Sequence, residues 1–269
     1  MLAEYAPDDG RVLAGGQSLV PTMAFRLARP HHLVDINGIE ALRRLDVDEG
    51  KLVIGAGVRH QAFHRPAVEG PLGTLLSVVM RHIAHYPIRT RGTFCGSIAH
   101  ADPASEWCLV AATLGAEMVA RSTGGTRIIA AADYFQGIMT TALAPDELLV
   151  EVRLPILSAQ TRTGFYEFNR RAGDFAMGMA LVTFRLADGV IAAPHVGVGG
   201  AETHPRCITA AEALLTGRAP ESAVFRAAAD AASAAIDPLT DAQTDAVYRR
   251  ELVATVTRRA LEQALAQIV

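Results

Sequence analysis

Residues 92 to 106, GTFCGSIAHADPASE, gather a thiol, an imidazole, two carboxylates and three hydroxyls among small side chains. Four readings are open to this stretch. A metal loop would use Cys95, His100 and Asp102, with the HxxH pair His82 and His85 upstream, but no second CxxC or HxxxH completes four ligands. Nucleophilic catalysis would make Cys95 the thiolate and His100 its base, with no third residue in place to orient that base. A ligand cradle would use Thr93, Gly96 and Ser97 as donors, while Asp102 and Glu106 accept from ligand hydroxyls. In the fourth reading the stretch is structural: Pro103 starts a helix and the acids of its first turn complement the helix N-terminus.

A second candidate is AGGQSL at residues 14 to 19, directly after the apolar run RVL. Gly15 and Gly16 let successive backbone N–H groups approach an anion, and Ser18 adds a hydroxyl. It is not a P-loop, since no GKS or GKT follows, and not a dinucleotide fingerprint, since GxGxxG is absent. The GAG at 55 to 57 ends another apolar run in the same way. Taken singly, such glycines are ordinary turns after strands. Two donor-rich loops together suit a dinucleotide, whose pyrophosphate wants amides and whose hydroxyls want polar side chains or carboxylates. Arg170-Arg171 with Asp174 reads as a salt-bridged strand end or a phosphate contact, and Phe175 reads by itself as core.

The elements that position these loops are of mixed type. Arg11–Ala14, Leu52–Ile54, Met118–Ala120, Arg127–Ala130 and Leu148–Leu154 read as strands, the last ended by Pro155. Gly73–His85 and Trp107–Leu114 read as helices, so the small stretch between them is expected to be a loop. Beyond Pro155, Gly164–Arg170, Met179–Leu186 and Val190–Gly199 read as three strands, with a hairpin signal at Asp188-Gly189. Thr209–Thr216, Glu221–Ile236 and Thr244–Ile268 then read as helices. In the last, Leu252, Val256, Ala260, Leu261, Ala264, Leu265 and Ile268 form one apolar stripe. Strands followed by helices argue for a separate α+β domain starting near residue 157.

Composition narrows the function classes. A formal net charge of −3 and a pI near 6.3, with Lys51 the only lysine, give no field for nucleic acid or an anionic membrane. Three scattered cysteines, Cys95, Cys108 and Cys207, fit a reducing compartment and a cytoplasmic location. The N-terminus lacks a signal-peptide pattern, and no apolar run is long enough to span a bilayer.

Taken together the chain resembles the FAD-binding medium subunits of the molybdenum hydroxylases, the family of xanthine dehydrogenase and aerobic carbon monoxide dehydrogenase. The resemblance rests on AGGQSLVP at 14–21, HLVDI at 32–36, IRTRGTFCGSIAHADPASE at 88–106, PDELLVEVRLP at 145–155, FNRRAGDFA at 168–176 and DAVYRRELV at 245–253, in the family's order along the whole chain. It implies an α+β protein: a two-subdomain FAD-binding domain of the PCMH/VAO type over residues 1–156, divided at about 56, then a domain over 157–269 with a three-stranded antiparallel sheet and a helical bundle. By position, Val12, Leu13, Ala14, Gly15, Gly16, Gln17, Ser18 and Leu19 would wrap the pyrophosphate, and Thr93, Phe94, Cys95, Gly96 and Ser97 would form the second flavin loop. Glu106 would replace an Asp that bonds FAD hydroxyls, with Asp102 beside it. Ile83 and Leu149 would make apolar contacts, and Phe175 matches an aromatic near the isoalloxazine.

The implied partners are a large molybdenum-cofactor subunit and a small subunit with two 2Fe–2S clusters, in a dimer of heterotrimers. Electrons would pass through FAD here to a quinone, NAD or oxygen, and no cluster-binding cysteine set is present in this chain. Two other functions fit fewer features: a non-redox docking subunit with a degenerate flavin site, and a stand-alone flavin reductase. Departures from the family pattern lie at Cys95, where relatives carry glycine, and at Asn169, where some carry a flavin-contacting Lys. A third lies at the front, where Met1–Glu4 matches the tail of a helix that relatives carry whole.

Overall fold

The computed structural model describes residues 1–242 and 244–267. Gly10–Leu13 pairs in parallel with His32–Asp35, joined by the short helix Leu19–Ala24. The glycine loop therefore leaves the C-terminal end of a strand. A five-stranded antiparallel sheet follows, in spatial order Leu45–Asp48, Lys51–Gly55, Leu148–Pro155, Glu117–Ser122 and Gly125–Ala130. Helices Pro71–Met80, Phe94–His100 and Glu106–Leu114 pack with it around Phe63, Phe94 and Trp107, all fully buried.

Two sequence readings give way here. The helix expected over Gly73–His85 stops at Met80, where the chain tightens into i→i+3 turns over residues 81 to 83, and Ala84 with φ 41° keeps it from resuming. The Val78, Val79 and Met80 carbonyls accept from the N–H groups of residues 81 to 83, and the turn beyond is held by one side chain: Arg89 Nε donates to Ile83 O at 2.6 Å, and Nη2 to Arg81 O at 2.6 Å and Ala84 O at 3.0 Å. The expected loop over residues 93 to 97 is instead the start of helix Phe94–His100.

In the C-terminal part, Arg162–Phe168, Gly178–Ala187 and Val190–Gly199 form consecutive antiparallel strands. The turn at Asp188-Gly189 has φ of 51° and 79°, the left-handed pair that a tight hairpin needs. The three strands gain a two-residue edge partner, Arg206–Cys207, which makes the sheet four-stranded; so short a strand leaves no period in the sequence. Helices Thr209–Leu215, Ser222–Ala235 and Ala246–Ala266 cover one face. Leu252, Val256, Ala260, Leu261 and Ala264 of the apolar stripe are buried, Leu265 partly so, and Ile268 lies outside the described residues. That helix crosses the sheet at Gly164, where a Cβ would lie 1.9 Å from Ala260 O, so only glycine permits the approach.

Both parts meet without an intervening linker. Phe165, Met179 and Leu181 of the C-terminal sheet join the N-terminal core, and Gly197 sits so close to helix Glu106–Leu114 that a Cβ would be 1.8 Å from Thr113 Oγ1. Buried Arg249, in the DAVYRRELV segment, donates to Met177 O at 3.1 Å and to Asp241 Oδ2 at 2.7 Å. The Gly197 approach sets the C-terminal sheet against the helix that begins with Glu106, while Arg249 ties the C-terminal part together internally.

Candidate functional site

A cleft of about 1020 Å³ runs between the glycine loop, the start of helix Phe94–His100 and the segment before Ala176. Its lining includes every residue from Val12 to Leu19, together with Ile83, Thr93, Cys95, Gly96, Ser97, Asp102, Glu106, Leu149 and Phe175. Two of the expected residues lie outside it. Phe94 is buried against Trp107, with ring centroids 4.7 Å apart, and Asn169 donates to Glu167 Oε1 at 2.8 Å. Residues between 12 and 175 are thus brought together from segments far apart in sequence, at a volume that suits an extended ligand.

The first loop is built to approach an anion. A Cβ on Gly15 would sit 2.3 Å from Arg91 O and 2.6 Å from Gly92 Cα, so the two loops touch backbone to backbone. Gly16 has φ 71° and turns the chain into helix Leu19–Ala24. The amides of residues 15 to 18 donate to no acceptor among the described residues. Consecutive unspent N–H groups on a cleft wall form a nest for phosphate oxygens.

In the second loop Thr93 caps its helix: its hydroxyl oxygen accepts from Gly96 N at 3.0 Å. The Thr93 hydrogen is left available as a donor. Thr93→Ala is expected to cost about 1 kcal/mol in urea unfolding, the usual value of an N-cap. Cys95 is buried, and its thiol donates to Ile54 O at 3.3 Å. Burial pushes its pKa far up, so the thiolate that a nucleophile or metal ligand needs is disfavoured. The residue lies within a right-handed helix, and this is why a side chain is tolerated where glycine was expected. Phe175 is 76% exposed on the cleft wall, not core as its type suggested.

Family models decide what this cleft belongs to. The FAD binding domain in molybdopterin dehydrogenase matches residues 1–157, and the CO dehydrogenase flavoprotein C-terminal domain matches residues 163–264. The chain belongs to the FAD-binding medium subunits of this dehydrogenase family. It is 37% identical to the nicotine 6-hydroxylase medium subunit of Paenarthrobacter nicotinovorans over 96% of this chain and 90% of that one. Its fold matches carbon monoxide dehydrogenase from Hydrogenophaga pseudoflava with a TM-score of 0.94 at 32% identity, covering 100% of this chain and 96% of that one. Quinoline 2-oxidoreductase from Pseudomonas putida 86 matches with a TM-score of 0.91 at 33% identity, over 98% and 91% of the respective chains. No helix among the described residues of this medium subunit is long and apolar enough to cross a membrane.

As an FAD subunit the chain has a donor set that fits its cofactor: free amides over residues 15 to 18 for phosphate, and carboxyls at Asp102 and Glu106 for hydroxyls. The carboxyls are not independent. Burial pushes the Glu106 carboxyl up to about 7, with Asp102 raising it further, while its own backbone amide and Arg89 oppose. Behind it Glu167, whose side chain has no solvent contact, is pushed up to about 8 by burial and by Glu106, against the Asn169 hydrogen bond. The two titrate as a pair. Glu167 Oε2 has no hydrogen-bond partner, and His82 Nδ1 stands 3.8 Å from it. Burial lowers the His82 pKa and Arg89 adds to it, so this contact is between neutral groups rather than an ion pair.

Sequence reasoning gave no role to His60, which also lines the cleft of this subunit. Its Nδ1 accepts from Trp107 Nε1 at 2.9 Å, and an indole can only donate. The ring is therefore the Nε2–H tautomer, and burial lowers its pKa to about 4, which keeps it neutral. Nothing within ten residues of His60 signals this. The partner comes from Trp107, and only the fold brings the two together.

Proposed function

We propose that this chain is the electron relay of a molybdenum hydroxylase, taking electrons from the 2Fe–2S clusters of a small subunit and passing them to an external acceptor. A large subunit would hold the molybdenum cofactor and hydroxylate the organic substrate, in a cytoplasmic dimer of heterotrimers. FAD supplies the redox chemistry when bound, because it exchanges electrons singly or in pairs. The division of labour in the chain falls near residue 157, with the N-terminal part holding the cofactor and the C-terminal part closing the cleft.

The row of unspent amides at residues 15 to 18 carries this reading, since it offers a pyrophosphate several neutral donors without a competing partner. Thr93, Gly96 and Ser97 would meet the cofactor from the other side, with Phe94 and Cys95 contributing backbone only, because their side chains are buried in the core. Glu106 and Asp102 would accept from its hydroxyls. Ile83 and Leu149 would supply apolar walls, and Phe175 would lie against the ring at the open side. Asn169 would act through Glu167 and not by direct contact. These residues bind, orient and shield; none performs bond-making chemistry on the organic substrate.

The purified complex is expected to be yellow, with a flavin spectrum that bleaches when its substrate is supplied anaerobically and recovers with an acceptor. Loss of the molybdenum subunit should stop the bleaching and leave the flavin bound. A full chain that takes up no FAD would sink the cofactor reading; bound FAD that never bleaches in the intact complex would sink the relay.

A further inference from the structure

Residues 58 to 60 run against residues 92 to 94: Phe94 N donates to Val58 O at 3.0 Å, His60 N donates to Gly92 O at 3.0 Å, and Arg59 pairs with Thr93 as a β-bridge. From this ladder the Arg59 guanidinium reaches two acceptors. Nη1 donates to the carbonyl of Arg91, and Nη2 donates to Asn37 Oδ1 at 2.5 Å. Asn37 Nδ2 in turn donates to Ala14 O at 2.8 Å, while Arg43 Nη2 holds the Asn37 carbonyl at 2.8 Å. The Arg91 carbonyl is the atom against which Gly15 packs. One side chain therefore touches the second loop directly and the first through a single amide.

Its charge is uncompensated. Among the described residues no carboxylate forms an ion pair with Arg59; Asp35 is the one acid whose field favours the cation, while Arg43 and Arg91 repel it and partial burial penalises it. A half-buried cation in cationic surroundings raises the energy of the empty site, and a nearby anion relieves it. Lysine cannot do both jobs, because one ammonium does not reach two acceptors in the fixed fork geometry of a guanidinium.

We infer that Arg59, which stands behind the cleft wall and not in its lining, is a positioning residue for the cofactor, setting the separation of the two loops through Arg91 and Asn37 and adding a positive field toward bound pyrophosphate. This rests on the reading of residues 15 to 18 as the pyrophosphate loop. Sequence gives no hint of it, since VRHQ follows a strand like any surface arginine.

The test titrates FAD, and separately riboflavin, which has no phosphate, into the flavin-free full chain at low and high salt, following flavin fluorescence. Wild type is compared with Arg59→Gln and Arg59→Lys. Arg59→Gln is expected to weaken FAD binding roughly 10- to 100-fold, the value of a lost charge-assisted contact. Its dependence on salt should flatten, and riboflavin affinity should change less than about threefold. Arg59→Lys should keep the salt dependence while still losing FAD affinity. FAD binding by Arg59→Gln within about twofold of wild type, with an unchanged salt slope, would overturn the inference alone. So would equal losses for FAD and riboflavin, which would make the arginine a general structural prop. If thermal melts show Arg59→Gln unfolded, Arg59→Lys decides, and wild-type FAD affinity in it overturns the inference. A wild-type chain that binds no FAD removes the pyrophosphate assignment and the inference with it.

Discussion

Gly15→Ala is expected to lower FAD affinity at least 100-fold, measured as the flavin dissociation constant of the purified chain. The added Cβ would stand 2.3 Å from Arg91 O and 2.6 Å from Gly92 Cα, both backbone atoms that no rotamer change can move aside. The loop must then lift from its neighbour, and amides aimed at one phosphate position lose it together; a misplacement of about 1 Å in such a site costs roughly 100-fold. Gly16 is the control. Its φ of 71° is one that Asn tolerates, and a Cβ there meets only the methyl ends of Val20 and Leu13 at 3.1 and 3.3 Å. Gly16→Asn should leave the packing of the loop intact, so any affinity it loses arises on the ligand's side of the loop. Equal FAD binding by wild type and Gly15→Ala would remove this loop from the pyrophosphate.

Stability of the flavin-free chain is expected to fall as pH rises through neutrality, and Glu167→Gln should lessen that fall. The folded pair Glu106 and Glu167 gives up its protons over a range reaching about pH 7 to 8, far above an unfolded glutamate. A raised folded pKa gives stability that is present in full below the unfolded value and lost as pH climbs through the folded one. The native state holds the extra proton, so the slope is negative. His60 and His82, both lowered by burial, act in the opposite sense: their contribution is lost as pH falls below about 6.5. Below about pH 6.5 the two effects oppose one another and the curve should be nearly flat; above it only the carboxyls still titrate, and stability should decline by on the order of 1–2 kcal/mol by pH 8. Urea unfolding across pH 5 to 8.5 reads this directly. Glu167→Gln should make the decline above about pH 6.5 shallower, leaving the share that Glu106 carries; an unchanged decline would mean that Glu167 is ionised in the folded chain.

Much of the fold was legible because its signals are local. Apolar runs marked Lys51–Gly55 and Leu148–Pro155, the Asp188-Gly189 pair marked a hairpin, and a stripe at helical spacing marked Ala246–Ala266. What was missed lacked such signals. His32–Asp35 and Leu45–Asp48 are short and largely exposed, so neither carries a buried period. The helical pattern before His85 runs past the true end because nothing local announces that Arg89 collects the carbonyls of residues 81, 83 and 84. The start of helix Phe94–His100 reads as a loop in the sequence, since a run of small residues has little helical period to show.

The sequence by itself determined the class of site: two glycine-bearing loops and a pair of acids, in an order along the chain that resembles one FAD family. Those are matters of residue type and spacing, which chain order preserves. Tertiary structure decided what each group can do. It sent the Cys95 thiol into the core and left Phe175 on the cleft wall. It set Glu167 behind Glu106 so that neither ionises freely, and turned His60 into a fixed neutral donor through Trp107. Burial and the field of neighbours are properties of distance in space, and partners separated by tens of residues become neighbours only when the chain is packed.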